Sequence, residues 1–255
     1  MYRVCFFIIL CFTANASWAV SVSTYRIYLD REHNVTDYWV SNKTLLKQEC
    51  TIKFTHYQFD AAGNLTKYDT PNFIPNNSAK KIVRFSPKKF VITPKNKHKI
   101  RFTLRNKRDI EDIEYRSHII VSCKDIKDDN DQIETIAGFA AVTVKPILTH
   151  HIPLVVRPRK LTAKLTIEDI VLADNKLIFD LVRSGKRSLY GQVNVKDQDN
   201  NIITSSRKFP LYHEVLSKNV SISLPEFEAK SLIVEFVETN ELSDKLTASS
   251  TLVIK

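Results

Sequence analysis

Glycine is the scarcest resource of this chain, with four in 255 residues. The G-x-S-x-G elbow of serine hydrolases and the glycine-rich loops that cradle phosphate are both missing, and so is H-E-x-x-H. Glu114-Tyr115-Arg116-Ser117-His118 does set a serine beside a histidine. On a strand, neighbouring side chains point to opposite faces, so Ser117 and His118 cannot form a nucleophile–base pair, and His150 and His151 fail as a joint metal clamp for the same reason. Neither Cys50 nor Cys123 has a histidine or cysteine partner at ligand spacing. No catalytic site, metal or cofactor is expected. Internal repeats and low-complexity segments are also lacking, and beyond the N-terminus no run is long and apolar enough to cross a bilayer.

Acidic residues are absent from one long stretch: Lys80 to Arg108 carries twelve Lys/Arg and no Asp or Glu. From Arg159 to Lys255 the balance is nearly even, fourteen Lys/Arg against thirteen Asp/Glu, so the formal net charge of +10 sits in the first half. Such a field suits nucleic acid, an anionic surface, or a partner bearing carboxylates. A solvated basic face is the plainest alternative.

The N-terminus favours export. Arg3 precedes the apolar run Val4 to Phe12, and small residues follow, as in a secretory signal peptide cleaved after Ala19. Residues 1–19 are therefore expected to leave, taking Cys5 and Cys11 with them. Export makes nucleic acid an improbable partner, and the lack of a further apolar run argues against membrane insertion. Cys50 and Cys123 remain, and in an oxidising compartment two cysteines most simply form one disulfide, two free thiols being the alternative.

The nine prolines, the scarce glycine and the wealth of Val, Ile, Thr, Phe and Tyr favour strands over helices. Lys99-Ile100-Arg101-Phe102-Thr103-Leu104-Arg105 alternates cleanly, apolar residues in and cations out. Similar segments occur at Thr24–Leu29, Asp37–Ser41, Cys50–Phe54, Ile82–Phe85, Phe90–Thr93 and Tyr115–Cys123, while Asp109–Glu114 suggests a short helical turn. About seven strands separated by turn signals read as an immunoglobulin-like sandwich. After Arg157-Pro158-Arg159-Lys160 the pattern restarts, with strand candidates at Leu165–Leu172, Leu177–Val182, Leu189–Val195, Val220–Leu224, Leu232–Val237 and Thr251–Ile254. The expected organisation is all-β: a first domain over residues 20–157 and a second over 158–255, at a fixed angle because the junction is short and punctuated by proline.

Ala140 to Pro158 joins the two halves. It reads as one extended strand with Val142, Val144, Leu148 and Ile152 on one face. Pro146 and Pro153 within it cannot donate to a ladder, which predicts an edge strand. A long apolar edge is an aggregation hazard unless a partner uses it. It also gives the free protein a means of pairing with a second copy.

Several stretches together resemble one family, the periplasmic pilus chaperones of chaperone–usher systems. They are Tyr25-Arg26-Ile27, Phe85-Ser86-Pro87-Lys88-Lys89-Phe90-Val91-Ile92, Ile100 to Arg105, Glu114 to His118, Ile152-Pro153-Leu154-Val155-Val156-Arg157, and Arg187-Ser188-Leu189-Tyr190-Gly191. The Glu114–His118 run and the two cysteines are most like the archaic branch. The resemblance implies a boomerang of two immunoglobulin-like domains. It also implies binding of incomplete pilin subunits by donor-strand complementation, and their delivery to an outer-membrane usher. The strand bearing Val142, Val144, Leu148 and Ile152 would fill the subunit's groove.

Family members grip the subunit's terminal carboxylate with an Arg in the first strand and a Lys in the last strand of domain one. Arg26 falls at the first position, but Pro153 stands where the Lys would be, and Arg116 is the candidate replacement. Glu114 with Arg157 resembles the family's interdomain salt bridge. The alternative to a chaperone is a secreted immunoglobulin-like adhesin that uses its basic face on an anionic surface.

Overall fold

The computed structural model describes residues 20–60, 63–70, 73–105, 110–126, 147–240, 242 and 245–254. The first half contains β1 (Val20–Val22), β2 (Ile27–Asp30), β3 (Val35–Asn42), β4 (Gln48–Thr55), β5 (Tyr57–Phe59), β6 (Leu65–Lys67), β7 (Val83–Ser86), β8 (Lys89–Ile92), β9 (Lys97–Leu104), β10 (Tyr115–Asp125) and β11 (Leu148–Arg157). The second contains β12 (Ala163–Ala173), β13 (Lys176–Gly185), β14 (Leu189–Lys196), β15 (Ile202–Ser205), β16 (Phe209–Leu211), β17 (Ser217–Ser223), β18 (Ser231–Glu238) and β19 (Thr247–Val253).

Each half is a two-sheet sandwich. In the first, β1-β3-β9-β7 faces β2-β11-β10-β4-β8. In the second, β12-β13-β17 faces β15-β14-β18-β19, with β16 also pairing β14. The period-two pattern builds the cores: in β9, Ile100 and Phe102 are fully buried while Lys97, Lys99 and Arg101 face out. Tyr38 meets Phe102 edge-on at 6.1 Å, and Ile119, Val121, Leu154 and Val156 complete the first core. Leu177, Phe179, Leu181, Val193, Val234 and Phe236 form the second. Asp174 and Asn175 both have positive φ, which suits the two-residue turn joining β12 to β13.

Cys50 and Cys123 face each other across the antiparallel pair β4–β10, with Cα atoms 4.1 Å apart, and form a disulfide within one sheet.

Three expectations need correction. β11 is not an edge along its length: Leu154–Arg157 pairs in parallel with Ile27–Asp30 of β2, on the side away from β10. The first described segment pairs with β3 in one sheet as β1, then with β11 in the other as β2. Among the described residues no strand lies outside Leu148–Pro153, and pairing with β2 begins at Leu154, immediately after the proline. Ile152 is also not available to a partner. It shares its face with Leu154 and Val156, and this phase puts it in its own domain's core at 1% exposure. Leu148, at the open end, is exposed, as is Ile147 before it. Val142 and Val144 lie outside the described residues. Asp112 and Ile113 form bends, and the described residues 110–114 contain no helical turn; Asp109 lies outside the described residues.

One element has no counterpart in the sequence-based expectation. β5 and β6 form a hairpin apart from both sheets of the first sandwich, reaching the second. Phe59 of β5 stacks on Tyr212 with ring centroids 3.8 Å apart.

Candidate partner-binding cleft

Alternation along β10 decides what faces the second domain. Tyr115, Ile119, Val121 and Cys123 enter the core, while Arg116 and His118 belong to the opposite face. Arg116 lies opposite Val155 of β11, and Val155 opposite Tyr28 of β2, so one row crosses three strands. Tyr28 and Val155 pack with Leu242 of the second domain into a small apolar seam. Arg26 precedes Tyr28 by two residues and shares its face.

The two arginines proposed as anchors from the sequence come together around Tyr212 of the second domain. Arg26 Nη2 donates to the Tyr212 hydroxyl at 3.3 Å, and its guanidinium lies 4.2 Å from the Tyr190 ring centre. Arg116 lies 4.4 Å from the Tyr212 ring and 4.6 Å from Phe59. Its two terminal nitrogens donate to Glu214, Nη1 to Oε2 at 3.1 Å and Nη2 to Oε1 at 2.5 Å. Burial alone would raise the Glu214 carboxyl, but the hydrogen bond and charge of Arg116 outweigh it and hold the group below the usual carboxylate range.

Glu114 and Arg157 also meet. Arg157 Nε donates to Glu114 Oε2 at 2.9 Å, both side chains being buried. This pair belongs to the first sandwich and its terminal strand; the link to the second domain runs through Ser188. The Ser188 backbone N–H donates to Glu114 Oε2 at 3.1 Å, its hydroxyl donates to Oε1 at 2.5 Å, and its carbonyl accepts from Arg157 Nη2 at 2.8 Å. For Glu114 too, burial would raise the pKa, and the charge of Arg157 with the bonds from Ser188 brings it below the ordinary value.

The Arg187–Gly191 stretch gains a role residue by residue. Arg187 pairs with buried Glu238 at 2.6 Å, Ser188 meets Glu114, and Tyr190 covers Arg26. Gly191 lies where a Cβ would come within 2.3 Å of the Val237 carbonyl oxygen, so β14 and β18 can approach only without a side chain there.

Histidines line the same face. Tyr57 sits edge-on to His118 at 4.9 Å, and its hydroxyl is 2.6 Å from His151 Nδ1. Burial, then the charges of Arg116 and Arg26, push the His118 imidazole down to about 3. Ser117 turns the other way, its Oγ 3.4 Å from Ser78 Oγ. Tyr212, Glu214, Phe59, Ser188 and Tyr190 are cleft residues to which sequence reasoning gave no role. Of these, only Ser188 and Tyr190 lay in a stretch singled out beforehand.

Fold and cleft together define an all-β protein of two sandwiches, with an open strand edge on the first and two aromatic-lined arginines between them. Solved structures similar to it include the YadV chaperone, at 11% identity and TM-score 0.49, covering 91% of this chain and 99% of that one. The CsuC–CsuE chaperone–tip adhesion subunit pre-assembly complex of Acinetobacter baumannii is similar at 11% identity and TM-score 0.48, covering 90% and 98%. The Salmonella enterica SafA pilin in complex with the SafB chaperone follows at 12% identity and TM-score 0.48, covering 92% and 97%. No family model matches the chain, and no curated protein matches its sequence. The functional reading rests on the residues of the cleft.

Proposed function

We propose that this protein is a non-enzymatic periplasmic chaperone that binds pilin-like subunits by strand addition and passes them to an outer-membrane usher. The observation that carries the reading is the course of β11, whose unpaired edge over Leu148–Pro153 leads into the cleft holding Arg26 and Arg116. An incomplete subunit adds a strand to that edge, satisfying the backbone donors and acceptors of both partners. Exposed Ile147 and Leu148 then lose water to the subunit's groove. The arginines take the subunit's terminal carboxylate, Arg116 by its planar fork. The knot of Glu114, Arg157 and Ser188 keeps the second domain in place as the other wall of the cleft.

The test is co-expression with a candidate pilin subunit, followed by affinity purification. Wild-type protein is expected to carry a subunit in equal amount. Losing one partner of a buried charged pair costs roughly 3–5 kcal/mol, about a hundredfold to a few thousandfold in affinity. Arg116→Ala should therefore lose the subunit, Leu148→Glu should lose it through a desolvated charge, and Arg101→Ala on the outer face of β9 should keep it. Melting of the free Leu148 variant should stay close to wild type, whereas Arg116→Ala also removes the partner of Glu214 and should melt lower, so its subunit yield is scored on the folded fraction. Wild-type yield of subunit with both variants would overturn the proposal.

A further inference from the structure

Arg116 is buried, yet a partner's carboxylate can use it only if it keeps a competent fork while the partner is absent. A guanidinium left desolvated and unpaired in the free protein would be strongly destabilising. The structure shows what stands there instead. Both Glu214 carboxylate oxygens lie on the two terminal nitrogens of Arg116, the paired geometry a chain-terminal carboxylate would adopt. Phe59 and Tyr212 flank the guanidinium.

We infer that Glu214 is a built-in substitute ligand, holding the Arg116 fork closed until an incoming terminal carboxylate displaces it. The inference rests on the proposed role of Arg116 as the subunit anchor. The pair is unequal in a way that suits exchange: the Arg116 side chain is 6% exposed and that of Glu214 is 35% exposed. Glu214 lies between β16 and β17, outside the ladders, so it can turn to solvent without breaking a sheet. Its nearest other titratable neighbour is His213, with Nδ1 3.3 Å from Oε2, an imidazole whose pKa burial lowers. Exchange leaves the number of ion pairs on Arg116 unchanged, so an incoming carboxylate gains only the difference between itself and Glu214. Tyr212 ties the second arginine to the same event, because its hydroxyl accepts from Arg26 and its ring covers Arg116. The Phe59–Tyr212 stack joins the hairpin to the second domain beside Arg116.

The probe is a synthetic peptide of alternating valine and threonine, made with a free C-terminal acid and as its C-terminal amide. Titration calorimetry compares wild type, Glu214→Gln and the double variant Glu214→Gln/Arg116→Ala. Removing the competing carboxylate should tighten free-acid binding at least about tenfold and leave the amide unchanged, and the double variant should lose the preference for acid. If wild type and Glu214→Gln both prefer the acid with equal affinity, Glu214 is an ordinary interdomain partner and the substitute role fails while the anchor stands. If neither prefers the acid, the anchor fails and the substitute role falls with it. Wild-type protein supplies a second readout that needs no variant. By carboxyl-carbon NMR, Glu214 should titrate below the ordinary range when free and return towards it with the acid peptide bound. A Glu214 titration unmoved by saturating acid peptide would overturn the inference.

Discussion

Glu114 is the carboxylate whose loss should be felt most widely. It is buried and accepts three hydrogen bonds, one from Arg157 and two from Ser188. In Glu114→Ala the Arg157 guanidinium keeps the Ser188 carbonyl at 2.8 Å and the Tyr28 ring at 5.9 Å, but no carboxylate. Among the described residues its Nη1 already lacks a hydrogen-bond partner, so no described group at hand can take over. An uncompensated buried charge typically costs roughly 3–5 kcal/mol. The Ser188 N–H and hydroxyl are orphaned as well, which places the expected loss toward the upper half of that range. For a chain of this size each kcal/mol lowers the melting temperature by about 2–4 °C, so the first calorimetric transition should fall by about 10 °C or more. The double variant Glu114→Ala/Arg157→Met removes both charges and should recover a substantial part of the loss. A Glu114→Ala variant melting within about 2 °C of wild type would refute the reasoning, since that is under about 1 kcal/mol. A double variant as unstable as the sum of the two singles would refute it too.

Acid should weaken the fold through His118 before the carboxylates titrate. Its folded pKa, about 3, lies well below the ordinary histidine value, so the neutral folded form is favoured above about pH 6.5 and stability erodes as pH falls towards 3. Between about pH 6.5 and 5 the urea midpoint should drop in wild type and drop less in His118→Gln; equal slopes would sink the assignment. His56, His151 and His213 are also lowered by burial and account for the slope that remains. The Cys50–Cys123 bridge closes a loop of 73 residues, worth about 4 kcal/mol in the loop-entropy model. Native protein should yield no alkylated thiol at these positions, and Cys50→Ala/Cys123→Ala should lower the urea midpoint accordingly.

Alternation made the sandwiches legible, because a half-buried strand writes its two faces directly into the sequence: β9 and β10 follow Lys99–Arg105 and Tyr115–Cys123 to within two residues at each described end. The disulfide was legible on other grounds, because an exported chain left with two cysteines most simply pairs them. Pairing partners were not. The parallel ladder between β2 and β11 joins segments more than 120 positions apart, and nothing local to either announces it. That is why Ile152 looked available: Leu148 and Ile152 share a face, but only topology decides which of them the sandwich covers. Glu214 meets Arg116 across 98 residues from a segment without periodicity, and β5 and β6 are three residues each, too short for a pattern. Pro153, by contrast, was informative. A residue without an N–H stands where the outer ladder stops.

The short parallel strand β2 turns the edge of β11 into a ruler. Among the described residues the open track runs from Leu148 to Pro153, six residues and about 20 Å, and is then blocked by β2 itself. A strand laid into that track whose terminal carboxylate is to reach Arg26 has to run parallel to β11, as β2 does, and must finish where β2 begins. Sliding forward by the two-residue step that preserves its faces would collide with Ile27, and sliding back would strand its charge short of the arginines. Length and polarity would thus be checked by the same obstruction, before any side chain is read.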